Sequence, residues 1–345
     1  MIATAHTRRS QTGFSLTELM VAVTIGLIIL AAVAGLFVNT NKASNNQNRL
    51  ARVQENGRFA MYYLLRDLRM TGYMGCQSDV TDRLTNDLAT TTGFYFGTTN
   101  LATPIEGIDD VTSSTTPAWS PSGSTTLPTS VWTGTAAAVA KPDLLTIRRV
   151  DTTSMQQIAT QMASLTDKLT INSTTNFQNN EVVLVADCTK ADLVQVNVTN
   201  STQLTPATAL SKQYDTAATV LPYSTRSYYV GLNKNNVPSL YRADNGGTAV
   251  ELVEGIESMK ILYGVATPPN IQPSYYRKAS AMSANDWKNV VSIKIGILAR
   301  TPNAKDTDID NNTYDVNGTV LGPFNDRNSR RVFTATALLK DRALP

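Results

Sequence analysis

GFSLTELMVAVTIGLIILAAVAGLFV, running from Gly13 to Val38, is the stretch on which the fold turns. Leu19–Val38 is a run of 20 residues without a charge. At 1.5 Å per residue a helix of that length spans about 30 Å, the thickness of a bilayer's hydrocarbon core. Arg8 and Arg9 precede it, so the positive-inside rule keeps the N-terminus cytoplasmic and sends the remainder outward. A basic leader before an apolar run also describes a secretory signal peptide, and Ala32-Val33-Ala34 gives that reading a small-x-small cleavage point. Glu18 separates the two. A carboxylate at the edge of an apolar run is costly without a positive partner, and a secretory signal has no use for one.

Beyond Val38 the sequence turns polar, yet Leu50, Val53, Met61, Leu64, Leu65 and Leu68 recur at steps of three and four, which predicts a helix with one apolar face. Arg49, Arg52, Arg58, Arg66, Asp67 and Arg69 fill the other positions, and Gly72 and Gly75 bring a stop. One helix over residues 14–70 is expected, with an apolar half at 14–38 and an amphipathic half at 39–70. Such a rod would be roughly 85 Å long. The basic side of its second half faces solvent, lipid headgroups or neighbouring protein.

From Cys76 onward the reading is mainly β. Strands are expected at Leu144–Val150, Glu181–Ala186, Leu193–Val198, Ser227–Leu232, Ser239–Arg242, Ser258–Val265, Val290–Ala299 and Val332–Leu339. Asp244-Asn245-Gly246-Gly247 is a hairpin signal, and Pro268-Pro269 and Pro302-Asn303 are breakers. The fold class is α+β: a long helix packed on a β-rich head of one or two antiparallel sheets, residues 71–345. Within residues 97–141 a loop rich in serine and threonine is expected. Between Val111 and Thr135, 14 of 25 residues are Ser or Thr and three are proline. Trp119 and Trp132 suggest that this loop folds back onto something, and its hydroxyls are candidates for O-glycosylation.

Composition narrows the function. Basic and acidic residues number 30 and 27, a balance that does not predict nucleic-acid binding. The only histidine is His6, so a chain lacking its leader has no imidazole for Ser-His-Asp or Cys-His chemistry or for metal ligation. Phosphate-binding glycine motifs are absent. The expectation is a non-enzyme without a cofactor. Cys76 and Cys188 are 112 positions apart. In an oxidising compartment they are expected to form a disulfide, and closing a loop of that length is worth about 4 to 5 kcal/mol in the chain-entropy description. Two separate buried thiols are the alternative.

Gly13-Phe14-Ser15-Leu16-Thr17-Glu18 resembles the class III signal of type IV prepilins and type II secretion pseudopilins. The resemblance implies that a prepilin peptidase removes residues 1–13 by cutting between Gly13 and Phe14. It implies N-methylation of Phe14 and retention of the apolar helix. It makes Glu18 an assembly residue whose carboxylate meets the terminal amine of a neighbouring subunit, a pair that low dielectric strongly favours over either charge alone. A solvated acid at the helix start is the plainer reading of Glu18.

Further segments resemble the PilW-type minor pilins: Asn56-Gly57-Arg58-Phe59-Ala60, Arg66-Asp67-Leu68-Arg69, Gly72-Tyr73-Met74-Gly75-Cys76, Ala186-Asp187-Cys188, Leu240-Tyr241-Arg242 and Leu252-Val253-Glu254-Gly255-Ile256-Glu257. The last two are also similar to the minor pseudopilin J of type II secretion. The implied function is a minor pilin that primes assembly of a type IV pilus and is incorporated at or near its tip. The alternatives are a minor pseudopilin and a tip adhesin or ligand-binding subunit. Implied partners are other minor pilins, the major pilin, the prepilin peptidase, the inner-membrane assembly platform and, before assembly, membrane lipid. The implied location is the bacterial inner membrane with the head periplasmic, then the pilus at the cell surface.

Asp306, Asp308, Asp310 and Asn312 imitate the first half of an EF-hand loop, but Asn311 stands at the turn glycine and Asn317 at the bidentate glutamate. A solvated acidic loop is the expectation, with Asp306, Asp308 and Asp310 the weak alternative for calcium.

Overall fold

The computed structural model describes residues 15–73, 84–88, 104–111, 140–245, 248–268, 270–302 and 309–339. The chain divides into two compact units, Met1–Ala51 and Arg52–Pro345. Helix α1, Leu16–Leu68, begins in the first and ends in the second. No proline interrupts it, and Leu, Ala and Met support it through the apolar run. Thr24 and Thr40 return their hydroxyls to the carbonyls of Met20 and Leu36 at 3.0 and 2.8 Å. The helix closes through Thr71 N–H donating to Leu68 O at 3.1 Å, and Gly72 then adopts φ +85°, a left-handed stop that glycine allows. The sequence placed its stop there.

The second unit holds the β structure. A large sheet comprises β1 (Leu84–Asn86), β2 (Ile105–Ile108), β3 (Leu144–Val150), β4 (Gln156–Thr160), β5 (Leu169–Ile171), β6 (Glu181–Ala186), β7 (Ala191–Asn200), β8 (Gln203–Pro206), β9 (Thr219–Leu232), β10 (Pro238–Asp244) and β11 (Val250–Glu254). A second sheet is built from β12 (Ile256–Ala266), β13 (Pro273–Arg277), β14 (Val290–Arg300) and β17 (Arg330–Leu338), in the antiparallel order β13-β12-β14-β17. A small hairpin, β15 (Tyr314–Val316) with β16 (Thr319–Leu321), and a one-turn helix α2 (Ala284–Lys288) complete it.

The 14-residue strand β9 is the hub of the large sheet. Its first residues pair with β6 on one edge and β4 on the other, and its last pair with β3 and β10. Because β6 also pairs with β7, β7 with β8, β8 with β5 and β5 with β4, six strands close into an antiparallel ring. Ile158, Leu169, Val183, Val194, Leu204 and Val220 belong to the apolar cluster of this ring. Val182, Leu184 and Ala186, of opposite parity on β6, join a different cluster with Val150 and Tyr223. Burial on both faces explains why β6 reads as an unbroken apolar run.

The second half of α1 lies in the main core. Val53, Ala60, Met61, Leu64 and Leu68 cluster with Met259 and Ile261 of β12, Ile293, Ile295 and Ile297 of β14, and Leu145, Tyr228 and Leu240 of the large sheet. Gly57 brings the helix against β17, where a Cβ would stand 2.2 Å from the Phe333 ring. On the other face of β14 a Cβ at Gly296 would meet Val316 at 2.6 Å, so the small hairpin seats there.

The α+β reading holds: a long helix, then sheets that are antiparallel apart from the parallel pair β1–β7. All eight expected strands are present, most of them longer than the sequence suggested. Short strands such as β4, β5 and β8 escaped it because Gln and Thr occupy their outward positions and leave no apolar run. Within residues 97–141, β2 at Ile105–Ile108 pairs with β3. Residues 112–139, including Trp119 and Trp132, fall outside the described residues. Two helix positions also differ from expectation. Leu50 is 47% exposed, and Asp67, read with the polar side, is buried.

Candidate functional site

The start of α1 is a reciprocal cap. Ser15 Oγ accepts from the Glu18 N–H at 3.2 Å, while Glu18 Oε2 accepts from the Ser15 N–H and hydroxyl, each at 3.0 Å. This is a capping box, satisfying two orphan donors at once. The pattern Ser-x-x-Glu before an apolar run was readable in the sequence. Glu18 is therefore anchored locally, which neither the assembly nor the solvated-acid reading anticipated. Gly13 and Phe14 lie outside the described residues.

The segment that follows is apolar all round. Leu27, Ile28, Ile29 and Leu30, placed about 100° apart around the axis, are all exposed. Among the described residues α1 is the one helix long and apolar enough to cross a membrane. A helix greasy on every side is stable only inside lipid or among other apolar helices.

The other half of α1 is fastened to the head by charge as well as by packing. Asp67 accepts from Arg149 at 2.9 Å, from Arg226 at 2.7 Å and from the Tyr228 hydroxyl. Burial pushes the Asp67 carboxyl up, but the Tyr228 hydroxyl and the two guanidiniums outweigh it and hold the group below the usual range. Asn56 donates to the Glu254 carbonyl at 2.9 Å. Gly255, at φ +79°, turns the chain from β11 into β12, and a Cβ there would meet the Arg300 carbonyl at 2.6 Å. Glu257 then receives Arg330 at 2.6 Å and Arg300 at 3.2 Å. The partners are 82, 159 and 73 residues apart for Asp67–Arg149, Asp67–Arg226 and Glu257–Arg330. No local pattern could have joined them.

Asp310 belongs to the same cluster. Its carboxylate accepts from Arg330 and Tyr314 at 2.9 and 2.8 Å, and from Asn312. Asp306 and Asp308 lie outside the described residues. No group of three or more His, Cys, Asp or Glu among the described residues is placed to hold a metal ion. Cys188 sits exposed in the turn after β6 and is not a free thiol. Cys76 lies outside the described residues. Asp187, which precedes Cys188, caps that turn, accepting from the N–H groups of Thr189 and Lys190 at 2.7 and 2.8 Å and pairing with Lys212.

Residues 8–34 match the family model of the prokaryotic N-terminal methylation motif, and residues 227–341 match that of type IV pilus-assembly protein W. The two matches are consistent with a type IV pilus-related pilin of the PilW type. Among curated proteins, none matches the chain. The first match spans Arg8, Arg9, Gly13, Phe14 and Glu18. The second begins within β9 and takes in Tyr228, Gly255, Glu257 and Arg330, residues that secure the helix and join the sheets. Strands β4–β8 of the ring lie outside both. The methylation motif and the apolar helix are consistent with membrane anchoring and pilus association.

Proposed function

We propose that this pilin is a minor subunit that primes assembly of a type IV pilus and stays at or near its tip. One observation carries the reading: an apolar helical segment exposed on every side, headed by a single acid, needs a cover that its own chain does not supply. Lipid covers it before assembly and sister helices after. The prepilin peptidase cuts between Gly13 and Phe14 and methylates Phe14. Glu18 then exchanges its local cap for the terminal amine of a neighbour, and only one axial offset brings the two together.

The head, by this reading, is periplasmic before extrusion and at the cell surface afterwards. Export places Cys76 and Cys188 where they pair as a disulfide. The chain has no catalytic role and carries no cofactor. Its partners are the major pilin, other minor pilins and the inner-membrane assembly platform. A head of this size is awkward to repeat along a shaft and easier to place at an end.

Mass spectrometry of the subunit from sheared filaments tests processing and incorporation together. The expected N-terminus is N-methylated Phe14, at a small fraction of the major pilin. A chain beginning at Gly35 overturns the reading. A deletion that blocks protein export while sparing piliation moves it to a secretion pseudopilin.

A further inference from the structure

The half of α1 within the second unit buries one side and leaves the other bare. Opposite the core residues, Arg52, Glu55, Phe59, Tyr62, Arg66 and Arg69 follow one another at alternating steps of three and four, all exposed. That spacing keeps them on one stripe about 25 Å long. At its centre Phe59 is 50% and Tyr62 56% exposed. Tyr63 meets Tyr62 edge-on at 5.8 Å between centroids.

The arginines of the stripe differ from most of those in the head. Arg148, Arg149, Arg226, Arg277, Arg300 and Arg330 of the head each reach a carboxylate. Arg52, Arg66 and Arg69 of the stripe, and Arg58 beside it, form no ion pair with any described residue. Two exposed aromatics between guanidiniums without an ion pair among the described residues have the composition of an interface centre, where Tyr, Phe and Arg are enriched and truncation is most costly.

We infer that this stripe docks a second pilin subunit of the same filament, one presenting carboxylates around an apolar patch. The inference rests on the reading above that the chain is assembled among pilins. Charge sets the partner's chemistry, since the arginines exceed the single Glu55 and call for an acidic surface. A membrane surface fits less well. An interfacial helix sends its apolar side into the acyl boundary with its cations at the water side. Here that apolar side is already occupied by the core of the head, and the aromatics share the cations' face.

The test uses the full-length chain in its own cells. Two variants are compared with wild type, Phe59→Ala with Tyr62→Ala, and Arg52→Glu with Arg66→Glu and Arg69→Glu. The readout is the ratio of subunit in sheared filaments to subunit in membranes, with thermal unfolding of the detergent-purified protein as the folding control. Both variants are expected to lower the ratio about tenfold while melting like wild type. The corresponding triple Arg→Lys variant is expected to stay within about threefold, because most of the stripe's charge complementarity survives. A photo-crosslinking amino acid at Tyr62 is expected to capture another pilin. Normal incorporation of both variants, or adducts with phospholipid alone, overturns the surface and leaves the pilin reading intact. Absence of the wild-type chain from filaments overturns both.

Discussion

Gly57 of α1 lies against Phe333 of β17 so closely that a Cβ would fall 2.2 Å from ring carbon Cε2. The helix therefore approaches the sheet at backbone distance, and the residue below it decides how deep it sits. In an exposed helix, Gly→Ala gains about 1 kcal/mol from propensity. At this position Ala forces the ring or the helix to move, and overpacking of that kind costs about 1 to 3 kcal/mol. Gly57→Ala is expected to lower the thermal midpoint, and adding Phe333→Leu to recover much of the loss. Scanning calorimetry of the detergent-purified chain decides it.

Asp67 carries a second expectation. Removing its carboxylate leaves Arg149 and Arg226 facing each other with the Tyr228 hydroxyl stranded among them. Breaking a buried pair on one side costs about 3 to 5 kcal/mol, so Asp67→Ala is expected to be among the most damaging single changes in the helix. Arg226→Met, with Asp67 still held by Arg149, is expected to cost less. Urea titration of both variants gives the order, and equal midpoints would contradict it.

Of the helix, the stop at Gly72 and the apolar spacing were legible because both are local signals. The apolar run of β6 and the recurrent β-branched residues of β3 and β14 were legible for the same reason. The closed ring was not, because closure is a statement about which strand meets which, and β5 or β8 alone is three or four unremarkable residues. The Asp67 and Glu257 clusters were invisible for a related reason: arginine and aspartate look like surface residues until a distant strand covers them. At the candidate site, Glu18 was found by its cost in an apolar setting. The hydrogen bonds it makes with Ser15 were available in the four-residue pattern and went unread.

That pattern leads to a third expectation. Ser15→Ala removes the cap, worth about 1 kcal/mol at the helix terminus, and leaves Glu18 free to meet a neighbour. Glu18→Ala removes the charge itself. Membrane insertion is expected for both, but loss from sheared filaments only for Glu18→Ala. Immunoblots of membrane and filament fractions separate these outcomes, and equal loss in both would place the function in the cap.

Acid titration gives a fourth. Burial pushes Asp326 and Asp187 up, but Arg330 for the first and Lys212 with Thr189 for the second bring both down to about 2. A depressed carboxyl contributes stability above its unfolded value near 3.8, and that contribution disappears as pH falls towards 2. Asp87 runs the other way. Burial first, then the Asp192 carboxylate, raise it to about 6, so the folded state gains stability as pH falls through 6. Partial exposure screens that gain to about 1 kcal/mol. Asp87→Asn is expected to stabilise the protein at pH 7 by that amount and to flatten the profile between pH 6 and 4, read from melting midpoints across pH.

The chain leaves β3 at Val150 and returns beside it along β9 at Tyr223, its direct cross-strand partner. All of β4–β8 lies between these two residues, which stand about 5 Å apart, and outside the ring the insert is tied back by β1 pairing with β7. A tight turn could bridge that gap. The insert is in this sense a cassette, open to exchange or enlargement by descent or by design while the helix seat and the four-stranded sheet keep their sequences.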